Sequence, residues 1–150
     1  MAKAMLKTVP HTQSDVRALL ELQAKVMGAK DVDRLMALYA PDVVYFDVVP
    51  PLQFIGTDAL RRRFQDWFES FKGPMEMETR DLHIAVSGDS AVAYWLSRAN
   101  GTLQNGQQAG LWVRATSCLQ WQNDKWLITH EHISIPVDLM HGKPEMDLVP

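Results

Sequence analysis

The sequence predicts an α+β domain in which helices from the first half of the chain cover one face of a mostly antiparallel sheet built from the second half. Three observations predict it. Apolar residues recur with a helical period up to Phe71, and the period falls to two from Met75 onward. Breaks at Gly88-Asp89, Asn105-Gly106 and Asn123-Asp124 then cut the second half into segments joined in order by hairpins.

The first helix begins after Thr12, where Val16, Leu19, Leu20, Ala24 and Met27 fall on one stripe, and Thr12 with Asp15 has the spacing of a capping box. Gly28 interrupts that stripe. Asp31 caps a second short helix whose Val32, Leu35, Met36 and Tyr39 share a face, and Ala40-Pro41 ends it. Val43 to Phe46 is β-branched and aromatic and reads as a strand, after which Pro50-Pro51 forces a loop. A third helix from Thr57 presents Leu60, Phe64, Trp67, Phe68 and Phe71 on one broad face, turns Arg61, Arg62 and Arg63 largely outward, and stops at Gly73-Pro74. Strands are expected near 76–87, 90–103, 110–122 and 125–135. The ends, about 1–11 and 137–150, are expected to be irregular.

With 150 residues, 47% apolar and 22% charged, the chain is sized for one core and hence one domain, 1–150. Its net charge of −3 is spread without long runs of one sign, which argues against nucleic acid and anionic membrane surfaces as partners. No stretch approaches the roughly 18 consecutive apolar residues of a membrane span. The single Cys118 cannot form an internal disulfide, and Met1 to Val9 lacks a secretory apolar stretch, so a cytoplasmic location is expected.

Particular residues add to the element order. The stretch Leu38-Tyr39-Ala40-Pro41-Asp42-Val43-Val44-Tyr45-Phe46-Asp47, followed by Phe54-Ile55-Gly56 and Leu60-Arg61, resembles the strand-and-helix entry of the SnoaL-like, ketosteroid-isomerase-like branch of the nuclear transport factor 2-like superfamily. Arg114-Ala115-Thr116 and Trp126-Leu127-Ile128-Thr129-His130-Glu131-His132-Ile133-Ser134 are similar to that family's Arg-x-Thr and Trp-x-Ile-x-His-x-His-x-Ser endings. The resemblance covers about residues 13–136. It implies a cone-shaped fold with three N-terminal helices on a curved sheet around an apolar pocket, and a homodimer formed through the outer sheet face. One such fold hosts many unrelated activities, so it does not imply a reaction.

By the resemblance, Asp47 matches the isomerases' proton-shuttling aspartate. Such a base needs burial among apolar groups, which Phe46, Phe54, Trp67 and Tyr94 can supply; the plain alternative is an aspartate that ends a strand and bonds its turn. The isomerases' two acidic oxyanion donors fall on Gln23 and Thr116, neither of them acidic, which argues against steroid isomerisation. Arg114 interrupts an apolar run. Pointing inward it must be paired, with Glu131 or a ligand carboxylate; pointing outward it is a surface charge. The Arg-x-Thr resemblance favours the inside. Tyr45 and Tyr94 are hydroxyl donors to a bound carbonyl, or else core aromatics. Trp67 and Trp95 can wall a ligand site or fill the core.

Strand alternation puts Trp126, Ile128, His130, His132 and Ser134 on one side and Leu127, Thr129, Glu131, Ile133 and Ile135 on the other. The resemblance assigns Thr129, Glu131 and Ile133 to the pocket and both histidines to the outer face. A metal pair of His130 and His132, helped by His83, is the minor alternative. The sequence reading is therefore a cofactor-independent enzyme of isomerase, cyclase or hydration/dehydration type. Asp47 and Arg114 are its catalytic candidates, and Tyr45, Trp67, Tyr94, Thr116, Glu131 and Ile133 its ligand contacts. The substrate is a small apolar carbonyl or hydroxyl compound. The alternative is a non-catalytic binding or assembly module of the same fold.

Overall fold

Thr12 opens the first helix, α1 (Gln13–Gly28), through a complete capping box in which its hydroxyl accepts from the Asp15 N–H and the Asp15 carboxylate accepts from the Thr12 N–H. The computed structural model describes residues 11–150, so the expectation for the start of the chain falls outside it except at His11. Val16, Leu20, Gln23 and Val26 are the buried stripe of α1. Gly28 closes the helix against the sheet: a Cβ there would stand 2.7 Å from the Met75 carbonyl oxygen, so only glycine allows the approach.

Asp31 caps α2 (Val32–Met36) by accepting from the Arg34 N–H at 3.1 Å. Tyr39, expected on that helix face, instead begins β1 (Tyr39–Phe46) and is buried. The short β2 (Phe54–Ile55) pairs with it. α3 (Thr57–Glu69) buries Leu60, Phe64 and Phe68. Full burial of Leu60 contributes about 1.5–3 kcal/mol.

The third helix ends earlier than Gly73-Pro74, because Phe71 already starts β3 (Phe71–Ser87). Gly73, at φ 67°, lies in a register shift between Lys72 and Glu76, so this pair marks a bulge inside a strand. β4 (Ser90–Leu103), β5 (Gln108–Ala109), β6 (Trp112–Gln122) and β7 (Lys125–Ser134) follow, with turns at the three predicted breaks. The seven-stranded sheet runs β2-β1-β7-β6-β4-β3, with β5 beside β4; every neighbouring pair is antiparallel except β1 with β7.

A second register shift decides the site. β7 is out of step with β6 between Cys118 and Leu119, because Thr129 has no partner and its hydroxyl bonds the Cys118 carbonyl. The extra residue reverses the alternation. Ile128 and Trp126 therefore join Glu131 on the helix-covered side, and Thr129 leaves the pocket set. Beyond β7, β8 (Val137–Asp138) and β9 (Lys143–Pro144) form a two-residue ladder in the segment expected to be irregular. No helix among the described residues is long and apolar enough to cross a membrane.

Candidate active site

The concave face of the sheet and the helices enclose a cavity of about 710 Å³. Helix α1 contributes Leu20, Gln23, Ala24 and Met27, and α3 contributes Arg63, Phe64 and Trp67. Inward positions of four strands, Tyr45, Trp95 and Ala99, Val113 and Ala115, Glu131 and Ile133, complete it with Asp47, just past the end of β1. Met146, from the C-terminal segment, reaches the wall. The lining is mostly apolar with a few converging polar groups, the usual character of a small-molecule site.

Glu131 is the most buried of those polar groups, 1% exposed. Its carboxyl accepts from Gln23 Nε2 at 3.0 and 3.2 Å, from the Tyr39 hydroxyl at 2.9 Å and from the Ser117 hydroxyl at 2.5 Å. α1, β1 and β6 thus each bring one neutral partner. Burial raises the Glu131 pKa from its ordinary 4.5, while the hydrogen bonds from Ser117, Gln23 and Tyr39 lower it in part.

Tyr45 sits beside it, the two residues being register partners of the parallel β1/β7 pair. Tyr45 is 5% exposed and lines the cavity, and its hydroxyl makes no hydrogen bond among the described residues; the fully buried polar atom left without a partner among them is instead Trp126 Nε1. Burial, then the nearby charges of Glu131 and Asp47, push its pKa well above 10, so it stays a donor. Tyr39 is shifted the same way by burial and Glu131.

Asp47 follows Tyr45 by two residues and shares its side. Its Oδ2 accepts from Arg63 Nε at 2.7 Å and its Oδ1 from the Val48 N–H at 2.7 Å, with 8% of the side chain exposed. Among the described residues only Nε of Arg63 is engaged, which leaves its terminal nitrogens available to a ligand in the cavity.

The cavity thus unites Asp47, Tyr45, Trp67, Glu131 and Ile133. Three predicted residues lie elsewhere. Arg114 is exposed on the convex face and donates to the Ser134 hydroxyl at 3.1 Å, because Val113 and Ala115 take the inward positions of β6. Thr116 shares that outer parity, opposite His132, and Ser117 holds the inner place. Tyr94 is 53% exposed and stacks on His83. His130 and His132 also face outward, packed against Phe46, with His130 Nδ1 on the Val44 carbonyl. Among the described residues no three His, Cys, Asp or Glu side chains cluster as metal ligands.

Arg63, Tyr39 and Ser117 are positions of the candidate site that periodicity missed. Arg63 precedes Phe64 and lies one turn before Trp67, at the edge of the apolar face, where a long side chain reaches inward. Gln23 carried a readable signal: it is a polar residue three after Leu20 and four before Met27 on the apolar stripe.

The model of the SnoaL-like domain family matches residues 16–138. An NTF2-like protein of unknown function from Pseudomonas putida KT2440 is 32% identical, covering 92% of this chain and 96% of that one, with TM-score 0.83. A ketosteroid isomerase-like protein from Erwinia carotovora atroseptica is 18% identical (81% and 93% covered, TM-score 0.69). An NTF2-like superfamily protein from Salmonella enterica Typhimurium is 17% identical (84% and 92%, TM-score 0.73). At those two identities the likeness concerns the fold alone. No curated protein sequence matches. The family match over most of the chain and the curved sheet closed by helices lead to one conclusion: the chain belongs to the SnoaL-like family and has the nuclear transport factor 2-like fold.

Proposed function

We propose that the cavity is a cofactor-independent proton-transfer site for a small apolar compound bearing a carbonyl or hydroxyl group, of the isomerase, cyclase or hydration/dehydration kind. One observation carries the reading. The Tyr45 hydroxyl is an unpartnered donor in an apolar cavity, with Asp47 two residues away on the same side. A hydroxyl that faces the cavity and holds no protein partner is available to donate to a ligand oxygen.

In this reading Tyr45 donates to the substrate carbonyl. Asp47 removes a proton from the adjacent carbon, and the C–H electron pair passes into the enolate, whose oxygen Tyr45 holds. Arg63, in the role expected of Arg114, fixes Asp47 and turns its free nitrogens toward the developing charge. Phe64, Trp67 and Trp95 exclude water.

The test is α-proton exchange of benzylacetone in D2O, followed by NMR. Wild type is expected to accelerate exchange, and Asp47→Asn and Tyr45→Phe to lower the rate by about a hundredfold or more with the fold intact. Full exchange by both variants would remove this site from the chemistry.

A second reading concerns the convex face. Val92, Tyr94 and Ile55 are 37%, 53% and 60% exposed on one sheet surface. That apolar exposure supports a homodimer closing over it, and equally a non-catalytic assembly module. The reading places such a dimer in the cytoplasm, in keeping with the single unpaired Cys118.

A further inference from the structure

The proton-transfer scheme leaves one buried ionisable group unused. We infer that Glu131 is a second catalytic acid, and that with Asp47 it makes the cavity a site for reversible loss of water from β-hydroxy carbonyl compounds. This rests on the proton-transfer reading above and adds the reaction class.

Tyr45 and Glu131 are register partners, and Asp47 follows two residues after Tyr45, just past the end of β1. With ordinary strand spacing across the pair and extended backbone over two residues, the Cα atoms of Glu131 and Asp47 come about 8 Å apart, with Tyr45 next to both. A base and an acid thus flank the carbonyl donor, as a substrate requires whose acidic C–H and leaving hydroxyl are on neighbouring carbons.

The partners of Glu131 matter as much. A carboxylate kept ionised for structure is normally matched by a cation. Among the described residues no Lys or Arg bonds it. From α1 it meets Gln23, from β6 Ser117 and from β1 Tyr39, with Tyr45 alongside; His130 lies on the opposite face, and the Asp47–Arg63 pair stands beyond Tyr45. The Ser117 and Tyr39 hydroxyls can rotate to accept as well as donate, so they suit both protonation states of the acid. Burial acts in the same direction, favouring the neutral form.

Chemistry then selects water loss. Hydroxide leaving into an apolar cavity is prohibitively costly, so the departing oxygen must be protonated as its bond breaks. In the proposed step Asp47 takes the α-proton and the C–H pair becomes the new C=C bond. The C–O pair leaves with the β-oxygen, which receives the Glu131 proton and departs as water. Solvent then moves a proton from Asp47 to Glu131, and no oxidant or reductant is needed.

The test compares two probes on the purified protein: α-exchange of benzylacetone, and loss of water from the aldol of benzaldehyde and acetone, followed by the ultraviolet absorbance of benzylideneacetone. Wild type is expected to catalyse both, and Glu131→Gln to lower the ratio of water loss to exchange by about a hundredfold. An unchanged ratio overturns the inference. Exchange without water loss by wild type also overturns it and leaves the proton-transfer reading standing, whereas absence of both removes the two together. Should Glu131→Gln fail to fold, carbon-13 NMR titration of the Glu carboxyls in the wild type decides: all titrating near 4.5 would overturn the inference.

Discussion

Adjacent residues of β6 and β7 occupy opposite environments. Ser117 and Glu131 lie on the concave face, bonded to each other and to groups from α1 and β1, whereas Thr116 and His132, one residue away, lie opposite each other on the convex face. Inside, the Glu131 carboxyl gathers specific side-chain partners from three other elements, Gln23, Tyr39 and Ser117. Outside, Arg114 needs only Ser134 and solvent. The difference teaches that polar residues in this sheet cannot be ranked as site candidates by type. Arg114 and Arg63 are the same residue, and only Arg63, on the helix, reaches the cavity.

The two arginines give the widest test of that contrast. Arg63→Met should lower benzylacetone exchange by about a hundredfold, as loss of a charge-stabilising donor does, while Arg114→Met stays within about twofold. Equal losses would erase the distinction between the faces. Stability should divide the same way. Leu119→Ala, at a position 1% exposed, should cost about 2–5 kcal/mol in urea unfolding, and its outward neighbour Gln120→Ala no more than about 0.5 kcal/mol.

The convex face has its own test. Tyr94→Asp should weaken self-association by roughly tenfold or more, read as a fall in mass by light scattering at micromolar concentration. A wild type that is already monomeric would refute the proposed dimer.

The smallest expected effect is a pH dependence. Because the folded pKa of Glu131 is raised, the native state holds its proton more tightly than the unfolded chain does. This contribution is full below 4.5 and is lost as pH rises through the folded value. Wild-type stability minus that of Glu131→Gln should therefore fall as pH rises above 4.5, by thermal melts in matched buffers. A difference that grows with pH would mean that Glu131 is better stabilised as the anion.

Much of the fold was legible because its signals are local. The capping box at Thr12, the cap at Asp31 and the breaks at Gly88, Gly106 and Asn123 each depend on a few neighbouring residues. The site was legible only in part. Asp47, Tyr45, Trp67, Glu131 and Ile133 follow from strand parity and helix face together with the family likeness. Arg114, Thr116 and Tyr94 failed because the direction of a strand's alternation is not written in the strand. It depends on which side the helices cover.

By itself the sequence determined the order of helices and strands, the hairpin turns and the family, since periodicity, glycine and asparagine turns and motif residues act over short spans of chain. Only the tertiary structure decided which face of the sheet is inside, where Thr129 reverses the parity of β7, and which distant groups meet at Glu131. Gln23, Tyr39, Ser117 and Glu131 come from four elements, and what brings them together is the need to satisfy one buried carboxyl, a demand that exists only once the helices have closed over the sheet.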